Sequence, residues 1–192
     1  GGNVYDINFG NTTRTGYYAV KFRVEVPSPF GVDWPVIRLA EVLLIHAEAL
    51  FEKNGSITDQ QLDLTINKLR DRAGLPALTN SFVSTNGLDM RTEIRRERTI
   101  ELFLEGFRFD DLRRWKNAET EMPMALEGVL WRGTQYDTDS RWGDIDFPQN
   151  GDDYIIVEPT GKRKFEEKHY LFPLPTRQIL LNPNLEQNPG WS

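Results

Sequence analysis

Between Glu93 and Trp115 a glutamate recurs at every fourth position, Glu93, Glu97, Glu101 and Glu105, and this spacing constrains the fold more than any other feature of the chain. On a helix, residues four apart lie one above another, so the four carboxylates form a single acidic stripe. Three like-charged i, i+4 pairs would cost an isolated helix roughly 0.6 to 1.5 kcal/mol in total, so cations must offset them. Arg96, Arg98 and Arg108 are near in sequence, and Arg38 is the candidate from elsewhere. Beside the stripe, Ile100, Phe103, Leu104 and Phe107 fall at i, i+3, i+4, i+7, the pattern of one buried helical face, and Phe109, Leu112 and Trp115 start a second stripe after Gly106. The segment therefore reads as two consecutive helices. Around the first, Glu101 falls between Leu104 and Ile94, with Arg91, Arg95 and Thr99 on the wetter side.

The reading of this stripe is a structural ion network of Arg38, Glu97, Arg98, Glu101, Glu105 and Arg108. A solvated face and a catalytic or metal-binding carboxylate set are the alternatives. Retaining glycosidases hold two carboxyls about 5 to 5.5 Å apart, which helix neighbours can mimic. Nearby arginines argue against a hydrolase, because they favour ionised carboxylates and deny the site its proton-donating acid.

Upstream, Tyr17 to Val26 has the alternation of an extended segment, stopped by Pro27 and Pro29. Asp33 as N-cap and Pro35 in the first turn would start a helix whose run Val36 to Phe51 is apolar nearly all round, save a seam of Arg38, Glu41, Glu48 and Glu52. Thr58 with Gln61 forms a capping box, and Leu62, Ile66, Leu69 and Ala73 repeat at helical spacing until Gly74 and Pro76. These two helices should make an antiparallel hairpin, and a third should start near Asn86 to Asp89. The fold class is mainly α, a helical scaffold over 33–116, followed by a long loop over 117–153 and a hairpin and tail over 154–192. In that last part, Tyr154 to Glu158 and Arg163 to Phe165 flank a Pro-Thr-Gly turn, and a short helix spans Thr176 to Leu181.

Composition excludes several functions. The chain has no cysteine and two histidines, which removes disulfides and thiolate chemistry and leaves little for imidazole. A net charge of −6 weighs against nucleic acid. No run of eighteen apolar residues suggests a membrane span, and Gly1-Gly2-Asn3 is not a secretory leader, so the chain reads as a fragment of a longer precursor. No cofactor or metal is expected. The aspartates of the long loop invite calcium, but D-x-[DN]-x-[DN]-G fails from Asp137 onward, since Arg141 stands at the third ligand position and Trp142 follows it. The better candidates in that loop are Trp131, Arg132, Gln135, Tyr136, Arg141 and Trp142. Indole and phenol rings stack on the apolar faces of sugars while amides and charged groups bond the hydroxyls. Equally, loop tryptophans anchor their loop to the core.

Three ordered segments resemble one family. They are Trp34-Pro35-Val36-Ile37-Arg38-Leu39-Ala40-Glu41-Val42-Leu43-Leu44 with Ala47-Glu48-Ala49; Glu97-Arg98 through Glu101-Leu102, Glu105-Gly106, Arg108 and Asp111-Leu112-Arg113-Arg114-Trp115; and Tyr170-Leu171-Phe172-Pro173-Leu174-Pro175 with Asn182-Pro183 and Gln187-Asn188-Pro189-Gly190-Trp191. A fourth, Asn67-Lys68-Leu69-Arg70 with Arg72-Ala73-Gly74-Leu75-Pro76, also fits. Together they are similar to the C-terminal part of the RagB/SusD-like nutrient-binding lipoproteins of the outer membrane. The resemblance implies a SusD-like scaffold of tetratricopeptide-like helix hairpins and a non-enzymatic subunit that binds oligosaccharide or polysaccharide at the cell surface. It further implies delivery to a SusC-like TonB-dependent transporter, with the lipid anchor carried by the parent protein. A helical protein-interaction module without glycan binding is the rival reading, and a glycoside hydrolase is third.

Overall fold

The computed structural model describes residues 15–17, 19, 21–22, 35–134, 137 and 148–191. The chain divides into two units, Lys21–Asp110 and Gly1–Val20 with Asp111–Ser192. Among the described residues there are eight α-helices, one 3-10 turn and two strands, so the fold is mainly helical with a small antiparallel sheet.

In the first unit, α1 (Leu39–Asn54) starts after Arg38, whose backbone is extended, and stops at Gly55 in the left-handed region at φ 70°. The helix thus begins three residues later than the Val36 start read from the sequence; Val36 and Ile37 form a bend, and Asp33 lies outside the described residues. Ala40, Leu44, Ala47 and Phe51 face the core, where α1 packs against α2, α3 and α5. The apolar residues Leu39, Val42 and Ile45, at 69%, 50% and 50% exposure, face water.

Thr58 and Gln61 form the capping box at the start of α2 (Asp59–Leu64). The single helix expected through Ala73 is broken at Thr65, which leaves helical geometry at φ −126°, ψ −97°, and α3 (Ile66–Arg72) continues beyond it. The Thr65 hydroxyl bonds the Gln61 carbonyl at 2.6 Å, an i−4 back-bond that competes with the helix ladder. Buried Asn67 brackets the following loop, donating to the Leu78 carbonyl at 3.0 Å and accepting from its N–H at 2.7 Å. After α4 (Asn80–Thr85), the Asp89 carboxylate caps α5 (Met90–Glu101) by accepting from the Thr92 N–H at 2.8 Å. The core collects Leu44, Phe51, Leu62, Ile66, Leu78 and Ile94.

The helix expected to run through Glu105 ends at Glu101. Leu104 at φ 64° and Gly106 at φ 87° turn the chain before α6 (Arg108–Arg114). This break corrects the face read from Ile100, Phe103 and Leu104: they are 66%, 60% and 45% exposed, and Leu102 takes the buried place. Helical spacing carried across a turn no longer specifies one face.

In the second unit, Leu112, Ala118 from α7 (Ala118–Glu121) and Tyr170 from the 3-10 turn (Glu167–Tyr170) form a small core. Strand β1 (Leu126–Leu130) pairs antiparallel with β2 (Tyr154–Glu158), with Leu126 opposite Glu158 and Leu130 opposite Tyr154. The expected partner of Tyr154 to Glu158 was Arg163 to Phe165. Instead the chain after β2 turns back toward Pro123 and Met124: Gly161 N–H donates to the Pro123 carbonyl at 2.7 Å, and Arg163 to that of Met124 at 2.7 Å. The loop 131–153 is therefore the connection within a sheet, and its two ends are fixed by that pairing. On β1, Val129 N–H donates to the Thr15 carbonyl at 2.8 Å, and a Cβ on Gly128 would sit 2.5 Å from that oxygen, so glycine is required. Helix α8 (Thr176–Leu181) follows, and Gln187 closes the tail by bonding both the N–H and the carbonyl of Leu174.

Candidate functional site

Two constellations carry chemistry, one in each unit. In the first, the turn after α5 folds Glu105 back so that its carboxylate, 4% exposed, meets Lys21 at 2.5 Å and Arg38 at 2.6 Å. Arg38 also donates to the Glu101 carboxylate at 2.6 Å and to the Glu101 carbonyl at 2.7 Å. Lys21 donates to the carbonyls of Glu101 at 2.7 Å and Phe103 at 2.9 Å. These two cations satisfy the open C-terminal end of α5, where the helix dipole is negative. Burial by itself would raise the Glu105 carboxyl, but hydrogen bonds from Arg38 and Lys21 outweigh it and hold the group below its ordinary value. The Glu105 bond in turn raises Arg38 beyond the normal arginine range.

The rest of the stripe is paired residue by residue. Glu93 takes Arg96 at 3.1 Å, Glu97 takes Arg70, and Glu101 also takes Arg72 at 2.7 Å. Arg98 is buried with its guanidinium 5.3 Å over the Phe107 ring, and Arg108 donates to the Thr99 hydroxyl at 2.8 Å. Beyond the Arg38, Arg98 and Arg108 read from the sequence, Lys21, Arg70 and Arg72 also serve the stripe or its helix end. Their spacing from the glutamates, 27 residues or more, carried no local signal. Every stripe carboxylate faces a cation.

The second constellation is the mouth of the β1–β2 connection. Trp131 is 4% exposed, and its backbone N–H donates to the Asp153 carbonyl at 3.0 Å, so the buried side chain and this bond together anchor the loop. Arg132 Nε donates to Gln149 Oε1 at 2.8 Å and lies 3.8 Å from the Asp153 carboxylate. The turn 150–153 is tied by the Asn150 side chain, which accepts from the N–H groups of Asp152 at 2.9 Å and Tyr154 at 3.0 Å and donates to Glu127 at 2.8 Å. Asp153 sits at φ 65°, in the left-handed region. The result is an exposed rim of carboxylates and amides with Tyr154 at its edge. Gln135, Tyr136, Arg141 and Trp142 lie outside the described residues. Gln149 was not singled out by sequence, and Asp153 only among the loop aspartates that invite calcium; the β1 pairing brings both beside Arg132. Among the described residues no His, Asp or Glu group is arranged to hold a metal ion, and no helix is long and apolar enough to cross a membrane.

Residues 1–191 match the family model for the SusD family. The chain belongs to the SusD family. A SusD-like protein of Bacteroides ovatus is 25% identical over 166 residues, covering 80% of this chain and 29% of that protein. Among solved structures, a SusD-like carbohydrate-binding protein from Bacteroides fragilis is 34% identical with a TM-score of 0.59, covering 79% of this chain and 28% of that one. A second SusD-like protein from Bacteroides fragilis is 31% identical with a TM-score of 0.58, covering 84% and 26%. The chain thus spans less than a third of the length of each of these SusD relatives.

Proposed function

We propose that this SusD-family chain captures glycan without altering it chemically, as part of a surface-exposed, lipid-anchored protein of the outer membrane that hands oligosaccharide to a SusC-like TonB-dependent transporter. The observation that carries the reading is membership of the SusD family together with a solved SusD-like carbohydrate-binding relative at 34% identity over 79% of the chain. The geometry supports it in two ways. The stripe glutamates are paired with cations, which suits a scaffold and not a hydrolase. The described ends of the β1–β2 connection lie at the mouth of a small sheet with Trp131 buried, and the sequence between them supplies Trp142 and Tyr136 as the aromatic contacts of this reading, with Arg132, Gln135 and Arg141 as polar ones. Such a site works by stacking and by bonds to hydroxyls.

Affinity electrophoresis of the chain through gels of starch, xylan, galactomannan and dextran tests this. Retardation by one polymer, lost in Trp142→Ala or Tyr136→Ala at unchanged melting temperature, is the expected result. Equal migration with and without every polymer would refute it.

A further inference from the structure

Three asparagines are followed directly by glycine, Asn54–Gly55, Asn86–Gly87 and Asn150–Gly151. In such a pair the glycine backbone nitrogen, with no Cβ to hinder it, can attack the side-chain amide of the asparagine before it. The three pairs differ in whether that nitrogen is engaged. Gly55 N–H donates to the Phe51 carbonyl at 2.8 Å and Gly87 N–H to that of Ser84 at 3.2 Å, each glycine in the left-handed conformation that ends a helix. Gly151 N–H has no acceptor among the described residues. Nor does conformation account for a glycine at 151. Every other described glycine either has a positive φ or, at Gly128, meets a backbone carbonyl where its Cβ would stand. Gly151 has open space around its Cβ position and a φ outside the left-handed region, so the turn would accept alanine there. The amide before it is also set up for attack. Asn150 Oδ1 accepts from the N–H groups of Asp152 at 2.9 Å and Tyr154 at 3.0 Å, two donors that stabilise negative charge developing on that oxygen as the nitrogen adds. Gly151 is exposed, so water reaches the pair.

We propose that Asn150–Gly151 is a self-modifying site, at which the asparagine converts to aspartate and isoaspartate. The Gly151 nitrogen gives its proton to hydroxide and forms a bond to Asn150 Cγ; the Cγ–Nδ2 bond breaks, and Nδ2 takes a proton from water and leaves as ammonia. Water then cleaves one of the two C–N bonds of the cyclic imide. Cleavage at Cγ leaves aspartate, and cleavage at the backbone carbon of residue 150 leaves isoaspartate. The products differ in consequence. Aspartate keeps the two acceptor bonds but loses the donation to Glu127 at 2.8 Å and sets a second carboxylate against it. Isoaspartate adds a methylene to the main chain inside the turn closed by Asn150 N–H to the Tyr154 carbonyl at 3.0 Å and Asp153 N–H to the Asn150 carbonyl at 3.2 Å, and so opens the mouth of the β1–β2 connection.

The test incubates the full folded chain at mildly alkaline pH and follows each asparagine by mass spectrometry, since trypsin leaves the three pairs on separate peptides, 54–68, 73–91 and 142–162. Asn150 should convert about tenfold faster than Asn54 or Asn86, a margin set by the backbone hydrogen bond that the other two glycines must first break. In urea the three rates should converge. Gly151→Ala should keep the wild-type melting temperature and nearly abolish conversion at Asn150, because the added methyl hinders the attacking nitrogen and nothing in the fold opposes it. In the separated isoaspartate form, the Trp131 and Tyr154 amides should exchange with solvent faster than in the unmodified chain. Conversion at Asn150 no faster than at the other two in the folded chain would overturn the proposal, as would conversion that Gly151→Ala leaves unchanged.

Discussion

Replacing Glu105 by alanine probes the joint that closes the first unit. The carboxylate is 4% exposed and accepts from Lys21 at 2.5 Å and from Arg38 Nε and Nη2 at 2.6 Å each. Removing one partner of a fully buried ion pair costs about 3 to 5 kcal/mol, because a charge is left uncompensated in the interior. Here the two widowed cations are 24% and 28% exposed and keep other acceptors, Arg38 the Glu101 carboxylate and carbonyl and Lys21 the carbonyls of Glu101 and Phe103. Water and these acceptors offset part of the loss, which places the expected destabilisation at about 2 to 3 kcal/mol, well above the 0 to about 1 kcal/mol of an exposed pair. Urea unfolding at neutral pH reads it as a fall in midpoint at unchanged slope. The pH dependence has a definite sign. The folded-state carboxyl is held below its ordinary value, so its contribution is present above the unfolded pKa, about 4.3, and is lost as pH falls through the folded value. The gap between wild type and Glu105→Ala should therefore narrow on acidification below about pH 4. A loss under about 1 kcal/mol at neutral pH, or a gap that widens in acid, would refute the reasoning.

Gly128→Ala places a Cβ 2.5 Å from the Thr15 backbone carbonyl, a contact that forces the strand and its neighbour apart. It should lower stability by about 1 to 3 kcal/mol in thermal melts, and an unchanged melt would contradict the close approach. Trp131→Ala empties a buried site and should cost about 3 to 5 kcal/mol, with Trp131→Phe much milder; equal, negligible losses in both would mean that the ring does not anchor the loop. Prolonged incubation with starch, xylan and mannan should release no reducing ends, and any turnover abolished by Glu97→Gln or Glu101→Gln would assign the stripe to catalysis instead.

The helical character, the caps at Thr58 and Asp89's neighbourhood and the short helix at Thr176 were readable because each is written in a few adjacent residues. So was Arg38 as a cation for the acidic stripe, since an apolar helix start with one arginine leaves few alternatives. What could not be read depended on backbone events that periodicity does not encode. The turn at Leu104 and Gly106 exposed Phe103 while still delivering Glu105 to Arg38. The break at Thr65 split a periodic run that continues in register on either side. In the site, Trp131 looks like any loop tryptophan until β1 is seen to end at Leu130, one residue before it. Gln149 and Asp153 gain meaning only when the sheet closes a loop of more than twenty residues back on Arg132.

The most direct test of glycan capture at the β1–β2 mouth is a map of backbone amide shifts on titration with an oligosaccharide of the polymer that retards the chain. The largest changes should fall on Arg132, Gly133, Asp153 and Tyr154, with α1 and α5 unmoved. Changes confined to α1 around Leu39, Val42 and Ile45, or none at saturating sugar, would contradict the account.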